Sequence, residues 1–74
     1  MKSYANVDGD SNVTAYEYGD NWIRVKFSDG SIYEYTHSSA GQHNIDTMKR
    51  LADSGDGLNS FIMRNVKKSY SRKI

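Results

Sequence analysis

Trp22-Ile23-Arg24-Val25-Lys26-Phe27-Ser28-Asp29-Gly30-Ser31-Ile32-Tyr33-Glu34-Tyr35-Thr36 is the stretch that decides the fold. Ile23, Val25 and Phe27 alternate with Arg24 and Lys26, the period-two pattern of a strand with one buried face. Ser28-Asp29-Gly30 then supplies turn residues, and Ser31 to Thr36 returns as a second strand in which Tyr33 and Tyr35 alternate with Ile32 and Glu34. The turn determines which face the tyrosines take. A two-residue loop at Asp29-Gly30 pairs Phe27 with Ile32 and puts the tyrosines beside Arg24 and Lys26. A three-residue loop, with Gly30 in the left-handed bulge position, pairs Val25 with Tyr33 and Ile23 with Tyr35. The second is favoured, because it makes one face consistently apolar.

Toward the N-terminus, β-branched and aromatic density over Asn12 to Tyr18 marks an earlier strand, and Asp20-Asn21 separates it from Trp22. Residues 1–10 are polar and read as a flexible lead-in to a single domain over 11–74. Toward the C-terminus, Ser39 and Gln42 have capping-box spacing, so a helix is expected from there to about Ser54, with Ile45, Met48, Leu51 and Ala52 on its apolar side. Ser54-Gly55-Asp56-Gly57 breaks it. Asp56 is then placed to cap a second helix whose stripe is Leu58, Phe61, Ile62, Val66 and Tyr70, with Arg64, Lys67 and Lys68 on or beside the opposite face. The expected fold is therefore α+β: a three-stranded antiparallel β-meander followed by two amphipathic helices packed on one face. Its predicted core is Ile23, Val25, Phe27, Tyr33, Tyr35, Leu58, Phe61 and Ile62.

Seventy-four residues support one core and leave little room for a deep substrate pocket. There is no cysteine, hence neither a disulfide framework nor a thiolate zinc site. No apolar run approaches the roughly 18 residues of a membrane span, and no apolar signal core follows Met1 and Lys2, so a cytoplasmic protein without membrane contact is expected. The sequon Asn12-Val13-Thr14 has no role in that setting. The net charge of +1 hides an asymmetry: residues 1–48 carry three basic and seven acidic side chains, and residues 49–74 carry seven basic and two acidic. Such a split points to a basic face or tail that can meet an anion, or to a solvated helix face.

In order and spacing these motifs resemble the KTSC domain, a small family named from the C-termini of some lysyl-tRNA synthetases and also found as stand-alone bacterial and phage proteins. The likeness rests on Ser11-Asn12-Val13 and Tyr18 in the first strand and on Ile23, Val25 and Phe27 in the second. Gly30 in the turn, Tyr33-Glu34-Tyr35, and Leu58-Asn59-Ser60-Phe61-Ile62 at the start of the last helix complete it. It covers about residues 11–70, although Ser54 and Asn59 stand one residue closer than the family's spacing. The resemblance implies the β-β-β-α-α fold, and RNA binding has been suggested for the family.

Six aromatics, Tyr16, Tyr18, Trp22, Phe27, Tyr33 and Tyr35, fall on three short strands. Rings on an open sheet face stack bases, and neighbouring cations meet phosphates. With the three-residue turn, Tyr33 and Tyr35 belong to the core, and Trp22, Arg24 and Lys26 form the open face, with Tyr16 or Tyr18 as further rings. The second expected contact surface is the basic C-terminal helix bearing Arg64, Lys67, Lys68, Arg72 and Lys73; the same charges also complement a helix dipole without any ligand.

Chemistry finds less support. His37 and His43 lack the spacing of a metal pair, and Asp8-Gly9-Asp10-Ser11-Asn12 opens like a calcium loop but has Val13 where glycine is required and Gly19 where glutamate is. Gly55-Asp56-Gly57 resembles a phosphate-binding turn already capped by its own Asp56. No nucleophile elbow occurs. The expectation is a non-catalytic module without cofactor or metal, binding RNA or single-stranded DNA. The rivals are a protein-binding modulator, such as a phage-borne inhibitor of a host or defence complex, and a homo-oligomeric or small-nucleotide-binding protein; monomer and oligomer are not distinguished.

Overall fold

Gly30 takes φ +88°, a conformation that glycine enters without the Cβ penalty of other residues. Its backbone N donates to the Phe27 carbonyl at 2.9 Å, and Phe27 N donates to Ser31 O at 2.8 Å, which closes a three-residue hairpin loop. Val25 pairs with Tyr33 and Ile23 with Tyr35, the register expected from an apolar face. In the computed structural model, which describes residues 1–7, 9 and 11–74, this hairpin joins β3 (Trp22–Phe27) to β4 (Ile32–Thr36). Asp8 and Asp10, with the calcium-like opening they begin, lie outside the described residues.

Among the described residues the sheet has five strands rather than three, in chain order and antiparallel throughout. β2 spans Val13–Tyr18. At its start Val13 pairs with Phe27 but Ala15 with Lys26, so β2 carries a one-residue bulge. The bulge shifts side-chain parity, and Val13 and Tyr16, three apart, are both buried. The additional strands are two-residue edges, β1 (Lys2–Ser3) on β2 and β5 (Arg72–Lys73) on β4. They correct two expectations. The start of the lead-in belongs to the fold, because Tyr4 is buried and its hydroxyl accepts from Leu58 N at 3.3 Å. Arg72 and Lys73 lie on a strand instead of a basic helix. Ser71 N donates to Glu34 O at 2.6 Å and Ile74 N to Ile32 O at 2.8 Å, so the chain returns along β4.

The helices also start and stop differently. The capping box is Thr36 with Ser39: Ser39 N donates to Thr36 Oγ1 at 3.1 Å and Thr36 N to Ser39 Oγ at 2.9 Å. It caps the short α1 (His37–Ala40), and Gly41 separates this from α2 (Gln42–Ser54). α2 buries Ile45, Met48 and Ala52, a helical stripe. It ends at Gly55, in the left-handed region at φ +75°. α3 (Leu58–Phe61) starts at Gly57 with no side-chain cap, so Asp56 does not play its expected part. It continues as a π-helical turn over Ile62–Val66. Leu58, Ile62 and Val66, all buried, recur every four residues, longer than the 3.6-residue α period, and the widened turn keeps them in line. The helical segment stops near Val66, and Tyr70 is not on its stripe.

The helices cover one face of the sheet. Between them Tyr4, Val13, Tyr16, Ile23, Val25, Tyr35, Ile45, Met48, Ala52, Leu58, Ile62 and Val66 form one core. Of the predicted core, Ile23, Val25, Tyr35, Leu58 and Ile62 are fully buried, and Phe27, Tyr33 and Phe61 are partly buried against it. No helix among the described residues is long and apolar enough to cross a membrane.

Candidate functional site

Strand alternation puts Trp22, Arg24 and Lys26 together on the uncovered face of the sheet, as expected. Their surroundings change what they can do. Register places Glu17, Arg24, Glu34 and Arg72 side by side on β2, β3, β4 and β5. Arg24 Nη1 lies 3.1 Å from Glu17, Arg24 Nε 2.8 Å from Glu34, and Arg72 Nε 3.1 Å from Glu34; the Met1 amino group extends the row 3.8 Å from Glu17. Charges of alternating sign thus cross the whole sheet. The two guanidinium groups, Arg24 first and Arg72 second, hold the Glu34 carboxyl below the usual range, and Glu34 and then Glu17 raise the Arg24 guanidinium. Arg24 also lies 4.7 Å from the Trp22 ring, and a Cβ at Gly19 would overlap the indole nitrogen. Trp22 is therefore packed against its own hairpin on one side and covered by Arg24. Lys26 is the cation of this face with no ion-pair partner among the described residues.

The basic C-terminal residues do not form one surface with this face. Arg64 is exposed on the helical segment, which packs on the other side of the sheet, and Lys67 and Lys68 are exposed on the turn that follows it. Arg72 belongs to the ion-pair row. Lys73, its neighbour, points to the helix side, its ammonium 5.6 Å from the Tyr33 ring.

A cleft opens where the β3–β4 hairpin runs past the end of the helical segment. It encloses about 340 Å³ between Phe27, Tyr33 and Tyr35 on the sheet, Met63 on the π-helical turn and Tyr70 on the chain leaving it. The rings of Phe27 and Tyr33 meet edge to face at 5.8 Å, and those of Tyr33 and Tyr70 lie 4.8 Å apart, tilted by 60°. Ser69 N donates to the Val66 carbonyl at 2.9 Å in the turn that brings Tyr70 back onto Tyr33. Asn12, Ser28, Asp29, Ser31 and Lys67 supply the polar rim. Lys67 has no ion-pair partner among the described residues. The Asp29 carboxyl is held below its ordinary value, first by the Ser31 hydroxyl and backbone N–H, with Lys73 adding to the effect. This cleft gathers Lys67 from the expected basic set and Phe27, Tyr33 and Tyr35 from the expected core, with Lys73 against the Tyr33 ring. Met63, Tyr70 and Asp29 were not foreseen. The three-residue turn was the available signal, since it carries Phe27 and Tyr33 beyond the helical cover.

Tyr16 and Tyr18 are tied to α2 instead of facing a ligand. Their hydroxyls donate to the two oxygens of Asp53 at 2.9 and 2.6 Å. Burial, reinforced by Asp53, pushes Tyr16 up to about 12, and the hydrogen bond to Asp53 raises Tyr18. A polar hollow of about 190 Å³ lies between Asn6, Ser11 and the Gly55-Asp56-Gly57 loop. Among the described residues no three His, Asp or Glu side chains are grouped to hold a metal ion. His43 is exposed, and His37 Nε2 is buried without a hydrogen-bond partner among the described residues. Comparison with family models, curated proteins and solved structures finds no significant match to this chain.

Proposed function

We propose that this chain is a non-catalytic cytoplasmic module of KTSC type that binds single-stranded nucleic acid, RNA or DNA. A base enters the aromatic cleft, and phosphates meet Lys67 and Lys73 and, further along the strand, Arg64 and Lys68. The cleft carries the reading: about 340 Å³ walled by Phe27, Tyr33 and Tyr70, with Lys67, unpaired among the described residues, at its rim and Lys73 against Tyr33. That volume is at the small end of ligand sites, which run from about 300 to 1,000 Å³, and suits a single unstacked base rather than a duplex. Stacking on an aromatic ring contributes roughly 1–3 kcal/mol per base. The suggested RNA binding of the KTSC family supports the same reading. The expected platform of Trp22 and Arg24 recedes to a secondary role, because Arg24 is already neutralised by two carboxylates; Lys26 remains as its phosphate contact.

Fluorescence polarisation with labelled mixed-sequence RNA and DNA oligonucleotides tests the proposal. Binding is expected at about 50 mM salt, with log affinity falling against log salt by about 0.7 per phosphate contact. Tyr70→Ala is expected to weaken it about tenfold, as removal of one stacking ring predicts. Absence of binding at that salt, or a Tyr70→Ala variant that binds like the parent, ends the proposal.

A further inference from the structure

The rim of the cleft holds a carboxylate of which the described residues hydrogen-bond chiefly one oxygen. Asp29 stands at the tip of the β3–β4 hairpin and lines the cleft. Ser31 donates to its Oδ1 twice, from N at 2.9 Å and from Oγ at 2.6 Å. Those two bonds fix the carboxylate as part of the turn and use the lone pairs of Oδ1. Apart from Ser31, only the Asp29 backbone N–H reaches the carboxyl, and no other described residue donates a hydrogen bond to Oδ2. Lys73 is near enough to act on the carboxyl electrostatically, but the two form no ion pair within 4 Å. An ionised carboxylate only accepts hydrogen bonds, so it favours a ligand edge rich in donors and repels one rich in acceptors.

The bases differ in that respect. Uracil and thymine flank a single N–H with two carbonyls. Adenine and cytosine each place an acceptor nitrogen directly beside the amino group. Guanine alone presents two neighbouring donors, the ring N1–H and the exocyclic amino group, on one edge. We propose that Asp29 is the specificity-determining residue of the cleft and selects guanine within a single strand, its Oδ2 accepting from the N1–H and amino edge while Phe27, Tyr33 and Tyr70 hold the ring. This inference rests on the nucleic-acid reading above and names the base that site takes.

The test is polarisation with short oligothymidylates carrying one central guanine, adenine, cytosine or hypoxanthine. Guanine is expected to bind about tenfold tighter than thymine at that position, the discrimination of a good base-edge contact. Hypoxanthine, which keeps N1–H but lacks the amino group, should fall between them. Asp29→Asn retains a carboxamide oxygen for Ser31, so the turn survives, and the variant should lose the guanine preference, binding the guanine-containing and all-thymine oligonucleotides alike. Equal affinity for all central bases in the parent protein overturns the inference and leaves the nucleic-acid reading intact, as does a guanine preference that survives in Asp29→Asn. Failure of every oligonucleotide to bind overturns both.

Discussion

Replacing Glu34 by glutamine separates a structural ion-pair row from a phosphate-binding platform, because Glu34 is the carboxylate shared by Arg24 and Arg72. Glu34 is 12% exposed and Arg24 29%, so their 2.8 Å contact is shielded, whereas Arg72 is 60% exposed. A hydrogen bond to a charged group contributes about 1.5–3 kcal/mol, and a neutral amide retains roughly half of it. The Arg24 arm then loses about 1–1.5 kcal/mol. The Arg72 arm, screened by solvent, adds a few tenths at most, about what exposed pairs contribute. The sum, about 1–2 kcal/mol, lowers the melting temperature by about 5–15 °C for a domain of this size.

The pH dependence gives the prediction its sign. Glu34 is lowered in the folded protein, so its contribution is complete above the unfolded-state value of about 4.3 and is lost as the pH falls through the lower folded value. Melting followed by circular dichroism at pH 7 should show the full gap between parent and Glu34→Gln. That gap should close on acidification below about pH 4. An unchanged melting temperature at pH 7, or a gap that persists in acid, refutes the assignment. The same variant frees Arg24 from one of its two carboxylates. If Arg24 nevertheless belongs to the main binding surface, oligonucleotide affinity should rise in Glu34→Gln; with the proposed cleft it stays within about twofold, since the base and the Lys67 and Lys73 contacts lie on the other side of the sheet.

Gly55→Ala is expected to destabilise by about 2–4 kcal/mol in a denaturant melt, because residue 55 is left-handed and its new Cβ would stand 2.5 Å from that of Ala5. Gly30→Ala shares the backbone strain but meets nothing within 4 Å, so a loss of only about 1–2 kcal/mol should follow; equal losses in the two variants would contradict the account. For Asp53→Asn, ultraviolet titration should show tyrosinate forming at lower pH than in the parent. Tyr16, pushed up to about 12, stabilises the fold below the unfolded tyrosine value of about 10, and that contribution is lost as the pH rises through the folded value. Lys67→Ala should reduce the slope of log affinity against log salt by about 0.7, and an unchanged slope would remove Lys67 from the phosphate contacts.

The β3–β4 hairpin was legible because two independent signals agree there. Alternation marks Ile23, Val25 and Phe27, and Gly30 permits the one loop length that adds Tyr33 and Tyr35 to the same face. β2 was only partly legible: its bulge breaks the alternation, and nothing local announces that Val13 and Tyr16 share a side. The edge strands were invisible for a different reason. Two residues carry no period, and Lys2–Ser3 and Arg72–Lys73 are strands because β2 and β4 offer them unpaired backbone. The capping box was misplaced by three residues because Ser39 can serve as the cap itself or as the partner of Thr36, and the choice depends on where β4 ends. For the site, the open position of Trp22, Arg24 and Lys26 followed from alternation. The neutralisation of Arg24 did not, since it depends on register across four strands.

Separating the C-terminal charges is the step that moves the proposed binding surface. As a continuous helix, residues 64–73 would present Arg64, Lys67, Lys68 and Arg72 as one basic stripe. The turn after Val66 ends that stripe, carries Tyr70 back to Tyr33, and sends Arg72 and Lys73 to opposite faces of β4's edge. Arg72 completes the ion-pair row, and Lys73 and Lys67 are left beside the rings of the cleft. A phosphate-binding charge is useful for recognition only where a base can also be held, because phosphate contacts position and base contacts specify. The fold brings lysine ammonium groups and aromatic rings together at the hairpin end of the sheet, where Asp29 also lines the cleft.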